Sequence, residues 1–579
     1  MLLIYFLFVL GVGSNRIRTS NGILEGSLVK VGPHEINVFK NIPFAEAPLN
    51  DLRFQSPLPK KRWRGIWNST VYSPACMSNT TRTTSPQSDV DEDCLYLNIW
   101  ADQRCMNRAC PVIFYIHGGG FYYDSAIMFN ETEIITKYAV HEIIFVVAAY
   151  RLGVFGFLDL GMELPSAPYN VGVYDIVLSL RWVQREIANF GGDKRRITLV
   201  GNSAGATVIS YLLSSPVVES GAFCRAFIGS SVPLLRPHVT LQMSEIITSY
   251  LRCKSRLIED ELSCLKELSA EELVLATRSN EEDFGEVGPQ TDRFLLPMGN
   301  FMKMMKFSWK PKHLLIMTTT EEMDTSRSDD IKNLCKFYSN SFDYTTSQVS
   351  DMCYKKYSKK YMDTKKDYIH AIHTQISLIN TRAGGRSYRG IFGQEGSTFH
   401  ANDLTYLIGL HPKQDMNEDQ KKMNVFYPEV LRRFVNGEVP YEGWIPTDLD
   451  GKNYYYLSFN NLTKQVPKMV IGQIYNQPAV DFWLSDMDKV NQFNLPQKTI
   501  QTAHSFESFE FPSSSQVNLE RKDRVPIFWT TLSIIIIVAT VILMVTSLRL
   551  FFRYHYFAEY RLAKGGEGKK LLIKNVRRV

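Results

Sequence analysis

The sequence predicts an α/β domain with a largely parallel sheet, on three observations. Short β-branched and aromatic runs at 112–116 (VIFYI), 143–149 (IIFVVAA) and 197–200 (ITLV) read as buried strands. Residues 173–190, between the second and third runs, place Leu178, Trp182 and Ile187 on one side at helical spacing. Strand, turn and helix in series is the pattern that covers a parallel sheet with helices. Over 579 residues, 45% hydrophobic, 12% aromatic and 21% charged usage supplies a large core. It excludes disorder, a collagen-like repeat and a small disulfide scaffold. The formal net charge of +6 is carried at one end. Residues 549–579 hold nine Lys/Arg against two Glu, which leaves a body of about −1 that does not fit a nucleic-acid binder.

In chain order, residues 1–14 come first: an apolar run too short to span a bilayer, closing on small residues, which reads as a secretory signal peptide although it lacks an early Lys or Arg. Asn68, Asn79, Asn130 and Asn461 lie in N-x-S/T sequons and are expected glycosylation sites. The cysteines fit an oxidising compartment. Cys76 and Cys94, Cys105 and Cys110, Cys253 and Cys264, and Cys335 and Cys353 are sequence neighbours able to close four short loops. Cys224 is left over within AFCRAFI and reads as a buried thiol. No cysteine has the neighbours of a zinc site, so no metal is expected.

The chemistry begins where the strands end. His117-Gly118-Gly119-Gly120-Phe121 follows VIFYI, and consecutive glycines let backbone N–H groups turn inward toward a developing oxyanion. Gly201-Asn202-Ser203-Ala204-Gly205 follows ITLV and precedes the apolar ATVISYLL. A Ser on a sharp strand-to-helix turn needs small flanking residues, and its hydroxyl then stands exposed at a helix N-terminus. The pentapeptide alone is weak; paired with a glycine-rich loop after an earlier strand it is specific. A serine nucleophile needs a carboxylate and a histidine later in the chain, in that order for this architecture. His400, in the polar stretch TFHANDLTYLIG, has the best context of the eleven histidines: His370 and His373 read as lying on a charged helix and His504 lies in a stalk. Glu322 follows an apolar strand, but position alone does not separate it from Glu321 or Asp324.

Residues 325–385 are Lys-rich, polar and helical in pattern, expected to cover the core domain or rim its pocket. Residues 487–525 read as a polar stalk. Residues 526–548 form a predominantly apolar run of 23 residues without a charge, long enough for one transmembrane helix. Arg549, Arg553 and Arg561 then mark the cytoplasmic side. The expected organisation is therefore signal peptide (1–14), α/β ectodomain (15–486), stalk, single type I membrane span and basic cytoplasmic tail (549–579). Glu567, Leu571 and Leu572 fit an acidic dileucine sorting pattern, and an amphipathic basic tail lying on anionic lipid accounts for the same residues equally well, so the cell surface and endolysosomal membranes are the expected destinations.

FKNIPFAEAPLNDLRFQSP (39–57), EDCLYLNIW (92–100), YRLGVFGFL (150–158), LRWVQREIANFGGD (180–193) and HANDLTYLIG (400–409), with the elbow and the glycine loop, resemble the type-B carboxylesterase/cholinesterase family over about residues 20–486. The resemblance implies an α/β-hydrolase fold with a central mostly parallel sheet flanked by helices. It implies a triad of Ser203, Glu322 and His400, an oxyanion hole from the N–H groups of Gly119, Gly120 and Ala204, and disulfides Cys76–Cys94 and Cys253–Cys264. Four positions depart from the family pattern. Asn202 stands where Glu is usual, Met323 for Gly and Ala149 for Asn, and Asp124 occupies a position that is commonly Gly. None removes a reacting group, while Met323 and Asp124 are placed to reshape the pocket. The loop between Cys76 and Cys94 contains no Trp, the residue whose face binds quaternary ammonium in cholinesterases, which argues against choline esters.

What the resemblance implies is a serine carboxylic ester hydrolase working through an acyl-enzyme on a small-molecule ester, with no cofactor. The same triad would serve an acyltransferase that moves the acyl group onto a bound alcohol or amine acceptor. A neuroligin-like adhesion protein shares the topology, but such relatives commonly lose the nucleophile that is present here.

Overall fold

The computed structural model describes residues 13–495 except 79–88, 236, 285–286 and 324–329. Twelve strands run in a continuous sheet order. They are β1 (Gly13–Arg18), β2 (Ile23–Val31), β3 (His34–Pro43), β4 (Tyr96–Asp102), β5 (Cys110–Ile116), β6 (Ile144–Ala148), β7 (Gly192–Asn202), β8 (Arg225–Gly229), β9 (His313–Thr319), β10 (Arg386–Phe392), β11 (Asn453–Leu457) and β12 (Lys468–Ile471). The spatial order is β1-β2-β3-β4-β6-β5-β7-β8-β9-β10-β11-β12, with the short strand Ile66–Asn68 beside β2. From β6 to β11 every pairing is parallel; the two margins are antiparallel.

The strands show why. In β5 (CPVIFYI) and β6 (IFVVA) every residue is buried, because a parallel sheet carries helices on both faces and cannot alternate polar with apolar. The predicted strands 112–116 and 197–200 lie inside β5 and β7, and the predicted run 143–149 contains β6 with one residue to spare at each end. The predicted helix 173–190 is α1 (Val171–Glu186), which tightens into a 3₁₀ turn at Ile187–Phe190. Trp182 and Ile187 enter the core and Leu178 packs against it. After the elbow comes α2 (Ala204–Leu212), buried along its whole length.

The Lys-rich segment forms α3 (Ile331–Ser341), α4 (Ser347–Tyr357) and α5 (Asp363–Arg382). Among these, α5 lies directly on β9 and β10, so it covers the sheet. Its expected charged character holds only on the outer face: His370 and His373 are each 1% exposed and point inward. The short helix α6 (Leu404–Ile408) and the long α7 (Glu418–Asn436) follow, the latter opened by a capping box between Asn417 and Gln420.

The folded body does not stop at residue 486. Met487–Asn494 is helical, Met487 is fully buried, and Asn491 Oδ1 accepts the N–H groups of Thr345 and Thr346 at 3.0 and 3.3 Å. The polar surface of this helix reads as a stalk, and only its one buried face shows otherwise. Gly13 and Ser14, at the expected end of the leader, are the first residues of β1. The apolar run before them, Asn79, Asp324, the remaining stalk, the apolar span 526–548 and the tail lie outside the described residues. Among the described residues no helix is long and apolar enough to cross a membrane.

All four sequence-neighbour cysteine pairs are disulfides: Cys76–Cys94, Cys105–Cys110, Cys253–Cys264 and Cys335–Cys353. Cys224 is free and half-buried, and its thiol is pushed up by burial. The sequon residues Asn68, Asn130 and Asn461 are exposed.

Candidate active site

The carboxyl ends of adjacent parallel strands are where an open α/β sheet builds a site, since loops from neighbouring strands converge there. Here β5, β7, β8, β9 and β10 end side by side. Register pairs Gly201 with both Ile116 and Ile228, Gly229 with Met317, and Thr319 with Phe392. His117 follows β5, Ser203 follows β7, Ser230 follows β8, and Glu322 lies three residues past the end of β9.

Ser203 has φ 54° and ψ −122°, a strained conformation for a residue with a side chain. The flanking glycines are steric requirements. A Cβ on Gly201 would lie 2.7 Å from the Gly205 carbonyl carbon, and one on Gly205 would lie 2.1 Å from Ile116 O. The elbow is thus pressed against the end of β5, where the glycine loop begins. Gly119 (φ 95°) holds that loop: its carbonyl accepts the N–H groups of Tyr122 and Tyr123 at 3.0 Å each, and a Cβ there would strike Tyr123 O at 2.1 Å. The loop lies against the elbow, with the Cβ position of Gly118 3.3 Å from Ser203 Cβ. Tyr150 secures its root through a hydrogen bond to His117 O at 3.0 Å and a ring stack at 4.4 Å on His117. Among the described residues no hydrogen bond from the N–H groups of Gly119, Gly120 or Ala204 to another group is present.

Glu322 is fully buried. Its Oε1 accepts Ser230 Oγ at 2.6 Å and the Thr319 N–H at 2.8 Å, and its Oε2 lies 2.8 Å from His400 Nδ1. Burial alone would raise this carboxyl, but the hydrogen bonds from His400 and Ser230 hold it below the usual range. Ser203 joins the same assembly through its backbone, since its N–H donates to Gly229 O at 2.8 Å and Gly229 precedes Ser230. His400 Nε2 is buried and without a hydrogen-bond partner among the described residues, so Ser203 Oγ makes no hydrogen bond to it; such contacts commonly tighten only once substrate is bound. The neighbouring Glu321 points away and pairs with Lys366 at 3.4 Å. The backbone of the elbow, Glu322 and His400 thus share one hydrogen-bonded assembly, and of the two neighbouring glutamates only Glu322 is buried.

Sequence reasoning missed the groups beneath Glu322. Ser230 is one; it follows β8 with no motif around it. His370 and His373 are two more. Nε2 of His370 lies 3.0 Å from Thr319 O, and Nε2 of His373 lies 3.1 Å from Ser231 O, so they fasten the ends of the two strands that hold Glu322. Burial lowers both, His373 to about 4, which keeps His373 neutral above that pH. Asn202, where the family has Glu, is buried with Nδ2 unpartnered among the described residues.

Asp403, three residues after His400, is also buried and accepts Tyr427 OH at 3.0 Å, with Oδ1 unpartnered among the described residues. Burial pushes its carboxyl up to about 6, against the Tyr427 hydrogen bond and with the Glu322 charge adding to the rise. The fold thus keeps a proton that the unfolded chain releases near pH ~3.9, so stability falls as pH rises from about 4 to about 6 and the penalty persists at neutrality. Asp403→Asn is expected to raise the melting temperature at pH 7 by a few degrees and to leave it nearly unchanged at pH 4. Melts at the two pH values check this, and a difference independent of pH would contradict it.

Residues 13–392 match the Carboxylesterase family, a span that includes the elbow, the glycine loop and Glu322 and ends before His400. Human carboxylesterase 3 is 32% identical over 55% of this chain and 59% of its own length. Human cocaine esterase is 32% identical over 54% and 60%. Acetylcholinesterase of Bungarus fasciatus is 34% identical over 45% of each. The chain thus spans about three-fifths of the length of the human relatives. In fold it is similar to juvenile hormone esterase from Manduca sexta, with a TM-score of 0.71, 21% identity, and coverage of 82% of this chain and all of that one. The sheet is that of an α/β-hydrolase, and the family match runs through most of it: the chain belongs to the carboxylesterase family.

Proposed function

We propose that this protein is a serine carboxylic ester hydrolase in which Ser203 is the nucleophile, His400 the base and Glu322 the acid that orients it. The observation that carries the reading is the 2.8 Å contact between His400 Nδ1 and an ionised, fully buried Glu322, beside a serine held on a strained elbow. Ser203 Oγ attacks the ester carbonyl carbon and passes its proton to His400 Nε2. Glu322 fixes the tautomer and stabilises the imidazolium that results. Gly119, Gly120 and Ala204 N–H groups receive the oxyanion, the term that contributes most in such reactions. His400 then protonates the leaving alcohol and activates the nucleophile that releases the acyl group.

Water as that nucleophile gives hydrolysis; a bound alcohol or amine gives acyl transfer. Choline esters are disfavoured by the Trp-free loop between Cys76 and Cys94. The full chain is read as a glycosylated type I membrane protein: leader at 1–14, glycans on Asn68, Asn79, Asn130 and Asn461, a span at 526–548 and the site on the lumenal or extracellular side. Four disulfides support an oxidising compartment.

Incubation of the purified protein with an activated ester and candidate acceptors, followed by product analysis, tests the reading. Free acid that disappears in Ser203→Ala supports hydrolysis, and a Ser203-dependent conjugate assigns transfer instead. If neither product depends on Ser203, the catalytic reading fails and a tethered recognition domain remains.

A further inference from the structure

The backbone around Glu322 is strained at two places. Glu322 has φ 43°, and Ser230, whose hydroxyl donates to its carboxylate, has φ 49°; both lie in the left-handed region without being glycine. Such conformations persist only where the surroundings over-determine them. Thr319 supplies part of that support: its N–H donates to Glu322 Oε1 at 2.8 Å, and its Oγ1 accepts the Glu322 N–H at 3.1 Å.

Behind these residues α5 presents two imidazoles, one to each strand end. His370 Nε2 meets Thr319 O, and His373 Nε2 meets the carbonyl of Ser231, the residue after Ser230. A carbonyl oxygen only accepts, so each Nε2 carries a proton. For His370 a relay fixes that tautomer. Asp367 Oδ1 accepts Asn476 Nδ2 at 2.8 Å, which orients the amide, and the same Nδ2 meets His370 Nδ1 at 3.1 Å, so Nδ1 is the acceptor. His373 Nδ1, in contrast, is buried without a partner among the described residues. Arg389, in the middle of β10, is 3% exposed, with Nη1 unpartnered and no acid paired to it among the described residues. Burial lowers both imidazoles and Arg389 adds to the lowering, while the carbonyls and Glu322, with Asp367 at His370, act the other way. A buried imidazole with one nitrogen unpaired carries a desolvation cost that an aliphatic side chain of similar volume would not. Polar groups that packing alone does not require are found where a site needs them.

We infer that His370 and His373 are positioning residues for the triad acid. Each gives one Nε2–H bond to the chain beside a donor of Glu322, and together they hold its carboxylate against His400 Nδ1. The inference rests on the ester-hydrolase reading.

Steady-state kinetics of the full chain in detergent on an activated ester, with kcat taken per fluorophosphonate-titrated site, test it. H370L and H373L should each lower kcat by about tenfold to hundredfold, the size expected when a reacting group is misplaced by up to about 1 Å, and leave KM within about twofold. H370Q and H373Q keep an N–H donor at similar reach and should recover most of the loss. I376V trims a fully buried side chain of the same helix, so it should lower the melting temperature and leave kcat unchanged. Leucine variants that keep kcat, glutamine variants no better than the leucine ones, or a change in KM without one in kcat would each overturn the inference. Turnover by the unaltered chain that survives Ser203→Ala would instead remove the ester-hydrolase reading beneath it.

Discussion

Ser203→Ala is expected to end labelling by a fluorophosphonate and to lower kcat on an activated ester by at least about ten-thousandfold, leaving only what the oxyanion donors contribute. The loss should be chemical and not structural. Ala tolerates φ 54° no worse than Ser, and the clash-limited positions of the elbow are Gly201 and Gly205, which stay in place. An unchanged melting temperature beside the lost activity is the expected pair of results. Persistent labelling of the variant would place the nucleophile elsewhere.

Glu322→Gln should come close in size. The carboxylate takes three donors on two oxygens, from Ser230, Thr319 and His400. An amide has one acceptor oxygen and an NH₂ group that must face a donor whichever way it turns. If the NH₂ faces His400, the imidazole is driven into the wrong tautomer; if it faces Ser230 and Thr319, buried donors are left unpaired. A fall in kcat of about 10⁴ is expected, with a stability loss of about 1–3 kcal/mol for the misplaced polar pair. Glu321→Gln is the contrast, because that side chain is half exposed and its pairing with Lys366 is a surface one. Steady-state kinetics and thermal melts of both variants decide the matter: unchanged kcat in Glu322→Gln would remove Glu322 from the acid's role.

Comparison of these two glutamates shows where the sequence stops being legible. Glu321 and Glu322 are identical neighbours after the same strand, and only the path of the backbone sends one inward. Glu322 has φ 43° and bridges to Phe399, which seats its carboxylate beside His400, while Glu321 turns out to Lys366. Resemblance to relatives points to Glu322, the buried one, where residue pattern left the choice open. A similar limit applies to α5. Its lysines and aspartates mark a solvated helix, and its two histidines look like part of that face. Yet they lie on the turn-to-turn stripe that meets β9 and β10, one turn apart at 370 and 373.

By itself the amino-acid order determined the parallel sheet, the elbow and the glycine loop. Those depend on short-range facts: runs of apolar residues with no polar alternation, and glycines wherever a Cβ would strike a carbonyl within a few residues or on the adjacent strand. Tertiary structure alone decided which of two glutamates is buried, how the histidines of α5 fasten Thr319 and Ser231, and that Arg389 lies in the core with no acid paired to it among the described residues. Each of these is a contact between strand ends or between a helix and the sheet, far apart in sequence. The free energy of a buried polar group is set by the partners that folding brings to it, which no local pattern encodes.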